Sequence, residues 1–142
     1  MLTKAKELLP LMKRIIEYSG SIHSLEARQE DGSSEGNPEE MERLKQEYAA
    51  LLEGMSREDL LLIRTVANIG NSERGHRFSR EKGKGEIQET IFEIEIRSTP
   101  EELLTSYHQY LVYHTKEQEI QHFRHRLDVP RNLSDGIQIL GL

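Results

Sequence analysis

The sequence predicts an all-α protein, a compact bundle of about five to six short helices in a single domain spanning residues 1–142. Helix-start signatures begin at Asn37, Ser56 and Thr99, each with a side-chain oxygen that can cap a backbone amide and an acid three residues later. Apolar residues follow each signature at helical spacing. The third observation is that no second convincing strand pattern accompanies the one ambiguous segment, so a sheet is not expected.

The first segment, from Thr3 to about Gln29, carries apolar residues at three- and four-residue steps, which is typical of one face of a helix. Pro10 lies inside this pattern, and it either starts the main helix near Leu9 or kinks a longer one. The acidic, glycine-rich residues 30–37 that follow predict a mobile loop.

The second helix is expected to begin after the Asn37 cap and to end at Gly54, where we expect a left-handed glycine. Ser56 then caps a third helix, which we expect to end at Gly70 and Asn71. Since the connection is so short, these two helices should form a tight hairpin or corner.

Residues 71–85 lack apolar periodicity and predict a second mobile loop, of a length that is usually functional or disordered. The next segment, residues 86–97, fits a helix through Ile87, Ile91 and Ile94, but it also alternates as a strand would. We favour the helix, because a lone strand leaves its backbone hydrogen bonds unsatisfied. Pairing with a second copy of the chain would favour the strand.

The helix that starts at the Thr99 cap either runs on or is capped again by Thr115 with Gln118, and Pro130 is expected to stop it. A short last helix should then dock on the core. The face predicted for the Thr99 helix comprises Leu103, Leu104, Tyr107, Leu111 and His114, and that of the last helix Leu133, Ile137 and Leu140.

Composition limits the classes of protein that fit. Hydrophobic residues make up 35% and aromatic residues 6% of the chain, so several amphipathic helices must share one core, and a homodimer is an alternative way to complete it. The absence of cysteine excludes disulfides and thiolate chemistry. Charges interrupt every apolar run that a membrane span or secretory signal would need, so we expect a cytoplasmic protein without a membrane partner.

The net charge of -6 is unevenly distributed, and five bases against one acid fall between Arg74 and Gly85. Cations on a glycine-rich loop can follow phosphates, which makes this stretch a candidate nucleic-acid-binding site. The alternative is a solvated loop that pairs with the acidic stretch between Glu26 and Glu53. The candidate residues are Arg74, Arg77, Arg80, Lys82 and Lys84.

Tyr110 and Tyr113 fall off the core stripe of the Thr99 helix and, three residues apart, would be neighbours on it. Because tyrosine is amphipathic and enriched at interfaces, this pair is a candidate partner surface. Packing within the monomer is the alternative.

A metal site is weakly indicated by Glu119 and His122, which form half of the set that a di-iron helical bundle uses. The alternative places both side chains in solvent beside Phe123. His114 is expected to be partly buried and hydrogen-bonded. No nucleophile or zinc motif occurs, so no catalytic residue, metal or cofactor is predicted.

These observations favour a non-enzymatic protein-interaction or regulatory domain, with another protein or a second copy of the chain as its partner. A nucleic-acid-binding regulator that uses residues 74–84 is the alternative, and a metal-dependent helical-bundle enzyme is the third hypothesis.

Overall fold

A computed structural model describes residues 1–30, 38–75 and 98–142, and these form seven α-helices and no strand. The predicted all-α class is therefore confirmed. The predictions for residues 31–37, 76–85 and 86–97 lie outside the described residues. The helices are α1 (Leu2–Glu7), α2 (Leu9–Glu30), α3 (Pro38–Glu53), α4 (Arg57–Glu73), α5 (Pro100–His108), α6 (Lys116–His125) and α7 (Val129–Leu140).

Helix α4 lies at the centre of the molecule, in contact with α5, α6 and α7. Its residues Leu60 to Ile63 are all buried, so the helix has apolar side chains on nearly every side. A helix with this pattern must be surrounded by other elements. These three helices pack around it, and the expected completion of the core by a second copy stays a prediction.

Helices α4 and α7 cross in close contact, and two glycines allow it. A Cβ atom on Gly70 would overlap the backbone of Asn132, and one on Gly136 would overlap the carbonyl group of Val66. The prediction that Gly70 and Asn71 end this helix is wrong, since α4 continues to Glu73. Gly70 is needed for close packing rather than for termination.

Helices α2 and α3 pack side by side, and α3 also contacts α6. The rings of Tyr18 and Tyr48 stack with their centroids 5.8 Å apart. The buried hydroxyl of Tyr48 donates a 2.9 Å hydrogen bond to the carbonyl oxygen of Phe123, which ties α3 to α6. Burial raises the pKa of this hydroxyl far above its usual value, and a hydrogen bond with Ser19 partly opposes the shift.

The helix starts predicted at Ser56 and Thr99 are confirmed, because each side chain accepts a hydrogen bond from the amide three residues later. Thr115 and Gln118 form a complete capping box, so the Thr99 segment is split into α5 and α6. The predicted cap Asn37 lies outside the described residues.

Two predicted details of the helix ends are wrong. Gly54 follows α3 but does not adopt the left-handed conformation, whereas Gly141 does so at the end of α7, with a φ of 70°. Pro130 lies in the first turn of α7 and does not stop α6, because proline fits a helix start, where its missing amide has no partner to lose. Of the two alternatives predicted for α3 and α4, the structure has the corner and not the packed hairpin, since each helix packs mainly on other helices.

Within the described part of the chain, no helix has the length and apolar character needed to cross a membrane.

Candidate protein-interaction surface

The two tyrosines singled out in the sequence lie on a loop, residues 109–115, which we call the aromatic loop. Helix α5 ends at His108, so the prediction that Tyr110 and Tyr113 share a helix with the core stripe is wrong. Tyr110 is 73% exposed and Tyr113 is 91% exposed, with Val112 between them at 43%. All three side chains therefore face solvent.

The backbone of the aromatic loop is held in place by successive turns and by an arginine. The amide of Leu111 donates to the carbonyl of His108, and the amide of His114 donates to that of Leu111. Arg57, at the start of α4, donates from Nε to the carbonyl of His114 at 2.8 Å and from Nη2 to that of Val112 at 2.6 Å. The side chain of Leu111 is buried, in contrast to those of its neighbours Tyr110 and Val112.

A buried carboxylate fixes the end of the same loop. Glu119 in α6 has no exposed side-chain surface. Its Oε1 lies 2.6 Å from Nδ1 of His114, and its Oε2 accepts a 2.9 Å hydrogen bond from Arg64 of α4. Because a carboxylate only accepts, we assign the proton to Nδ1 of His114. The predicted hydrogen-bonded role of His114 is confirmed.

The prediction that Glu119 is solvated beside Phe123 is wrong, because Glu119 lies on the same buried face of α6 as Ile120 and Phe123. Its position four residues before Phe123 could have revealed this. The buried charge is tolerated because Arg64 and His114 together satisfy both of its oxygens.

His122 is half-buried, and its pKa is lowered to about 4, mainly by burial and then by the nearby cations Arg64 and Arg126. Its ring packs edge-on against that of Phe123, so the prediction that His122 lies in solvent is also wrong. Glu119 and His122 do not act as a pair, since both Glu119 oxygens are engaged elsewhere. No group of three histidine or acidic side chains suited to a metal ion occurs in the parts of the chain that the structure describes.

Of the five bases in the predicted nucleic-acid-binding stretch, only Arg74 is among the described residues. Its guanidinium lies in an ion pair with Asp135 of α7 at 2.5 Å and also donates to the side-chain oxygen of Asn132. Arg74 thus ties the end of α4 to α7. The other four candidates, Arg77, Arg80, Lys82 and Lys84, lie outside the described residues.

A groove of about 600 Å³ lies between α2 and α3 and reaches the corner where α3 meets α4. Its apolar lining includes Leu11 and Tyr18 from α2, Leu51 from α3 and Met55 from the corner. Charged side chains, among them Arg14 and Asp59, complete it. No sequence pattern indicates this groove, because its walls come from different helices and local patterns do not specify how those helices are placed relative to each other.

Exposed apolar surface is concentrated on the aromatic loop. Among the described residues the exposed large hydrophobic side chains are Met1, Leu127 and the three loop residues Tyr110, Val112 and Tyr113. Exposed apolar clusters of this kind mark interaction sites more often than scattered single residues do. The chain matches no known protein family, and no curated protein or solved structure is significantly similar to it.

Proposed function

We propose that this protein is a non-enzymatic interaction domain that binds a protein partner through the aromatic loop. The observation that carries the proposal is the exposure of Tyr110, Val112 and Tyr113 on a backbone that Arg57 holds by two hydrogen bonds. A merely solvated loop needs neither the aromatic side chains nor the clamp.

The physical advantage of such a loop is preorganisation. Each aromatic side chain buries about 150–250 Å² when it enters a pocket, and tyrosine is among the residues that most often dominate binding energy. Ordering of loops and side chains on binding usually makes an unfavourable contribution to the free energy of binding. The clamp from Arg57 and the contact between His114 and Glu119 reduce that loss, because the loop is already ordered.

The charges that surround the loop are balanced. Arg57 and Lys116 are basic, whereas Glu58 and Glu117 are acidic. A partner that binds here would gain little from charge pairs at the loop itself, so its affinity should not fall steeply as salt is added. This separates the proposal from phosphate recognition, which weakens steeply as salt is added.

Site-specific photo-crosslinking in cells tests the proposal. A benzophenone amino acid at position 113 is expected to give discrete protein adducts, identified by mass spectrometry. The matched control is the same group at Ser134, which is exposed on α7 away from the loop. Adducts that are absent at position 113, or equally abundant at both positions, would contradict the proposed binding surface.

A further inference from the structure

We infer that the partner is a second copy of this chain, whose groove between α2 and α3 receives the aromatic loop, while its own loop enters the groove of the first copy. This inference rests on the proposed function and names the partner of the same surface.

The loop and the groove border the same corner of the molecule. On one side of the corner, Lys116 donates to the carbonyl of Glu53 at 2.7 Å, and Arg57 holds the loop carbonyls. On the other side, Gly54, Met55 and Asp59 line the groove. Two copies that meet corner to corner can therefore exchange loops reciprocally, in the self-complementary contact that a two-fold axis requires.

Shape and chemistry of the two surfaces are complementary. The loop is convex and aromatic, and the groove of about 600 Å³ lies in the size range of pockets that enclose small organic groups. Leu11, Leu51 and Met55 offer an apolar surface for tyrosine rings. Asp59 can accept a hydrogen bond from a tyrosine hydroxyl, and the guanidinium of Arg14 can lie against a ring face.

The available area predicts a reversible dimer. At their observed exposures the two tyrosines offer roughly 300 Å² of surface. The groove exposes less surface than the two tyrosines do, so each copy would bury less than the roughly 600 Å² per partner found in stable specific complexes. We therefore expect association that depends on concentration rather than a permanent dimer.

Sedimentation velocity of the purified chain from micromolar to millimolar concentration tests the inference. The wild type is expected to shift from monomer to dimer as concentration rises. The loop variant Y110A/Y113A and the groove variant A50R, in which an exposed wall residue is enlarged, should each associate at least tenfold more weakly. Matched controls are L127A, an exposed apolar residue elsewhere, and Q46R, an exposed position of α3 that does not line the groove; both should dimerise as the wild type does.

Mixing the two deficient variants provides a sharper test. A mixed dimer of Y110A/Y113A with A50R retains one wild-type loop in one wild-type groove. The mixture should therefore associate more strongly than either variant alone. Both variants should fold, since Ala50, Tyr110 and Tyr113 are all exposed, and circular dichroism checks that they do.

The outcomes separate this inference from the function on which it rests. A wild type that stays monomeric throughout, or an A50R variant that dimerises normally, would overturn the groove assignment. If position 113 then crosslinks to a different protein, the proposed function stands and only the identity of the partner is wrong. A Y110A/Y113A variant that dimerises normally overturns the inference as well.

Discussion

At the residue scale, Glu119 shows how one buried charge organises a surface. Its carboxylate joins Arg64 of α4 to His114 at the end of the aromatic loop, so a group in the core sets the position of exposed side chains. Removing water from a carboxylate is costly, and the cost is offset only while both partners are present. The side chains of Arg64 and His114 are 17% and 36% exposed, so only the carboxylate of the network is fully shielded from solvent.

Replacing Glu119 with glutamine should therefore destabilise the protein by about 2–4 kcal/mol, because Arg64 loses its counter-charge in a poorly hydrated environment. The matched control is R43A, which breaks the exposed pair between Arg43 and Glu47 and should cost less than about 0.5 kcal/mol. Urea denaturation measures both variants. Equal losses of stability in the two variants would show that the ion pair between Glu119 and Arg64 does not stabilise the fold.

The half-buried His122 predicts a loss of stability in acid. Its pKa is about 4 in the folded protein and about 6.5 in an unfolded chain, so the unfolded state binds the proton first. Stability should fall as pH falls from 6.5 towards 4, by about 1–2 kcal/mol once the partial exposure of the ring is allowed for. Denaturation of H122Q across this range should show a flatter profile.

The control for this pH dependence is H125Q, a substitution at an exposed histidine of the same helix. Its acid profile should match that of the wild type. If H122Q retained the full acid sensitivity, another group would have to be responsible for it.

At the element scale, the glycine contact between α4 and α7 decides how closely the two helices approach. G70A and G136A should each destabilise the protein by about 3 kcal/mol or more, because the added methyl group meets backbone atoms that cannot rotate away. Thermal unfolding measures the effect.

Gly20 provides the matched control, because it lies within α2 and a Cβ added there meets no heavy atom within 4 Å. G20A should stabilise the protein by up to about 1 kcal/mol, since alanine favours the helix. Similar effects of all three substitutions would contradict the close packing of α4 on α7.

Burial separates the residues of the aromatic loop into an anchor and a surface. L111A should lower the free energy of unfolding by about 2–4 kcal/mol, because this side chain is only 4% exposed. Y110A/Y113A should change the free energy of unfolding by less than about 0.5 kcal/mol, as expected for exposed positions. A large destabilisation of the tyrosine variant would mean that these side chains pack within the monomer, which is the alternative that the sequence left open.

At the scale of the whole molecule, dependence on salt separates the two binding hypotheses. We expect self-association not to weaken as ionic strength rises, because the charges around the loop are balanced and salt screens the repulsion between two copies of net charge -6. Fluorescence anisotropy with labelled DNA and RNA at low salt should show no binding. Binding that weakens steeply with salt and disappears when Arg77, Arg80 and Lys82 are neutralised together would instead favour a nucleic-acid-binding regulator.

The all-α class and the helix starts at Ser56 and Thr99 were predictable from sequence, because they depend on hydrogen bonds between residues three or four positions apart. The start at Thr115 was one of two alternatives that the sequence left open. Burial of one apolar face of α4 was predictable from helical spacing, but burial of its other sides, which include Leu61 and Leu62, was not, since it depends on the helices packed around it. The exposure of Tyr110 and Tyr113 agreed with their place off the stripe, although the helix assumed for them does not extend that far.

Other features depended on partners distant in the chain. Arg64 meets Glu119 across 55 residues, Arg57 reaches the loop across a similar separation, and Gly70 faces α7. Locally, the acidic side chain of Glu119 favours a solvated position. The flexible backbone of Gly70 favours the end of a helix. Both predictions were wrong, because α4 packs against α6 and α7. The surroundings of a side chain depend on the helix that lies opposite it, and only the tertiary structure specifies which helix that is.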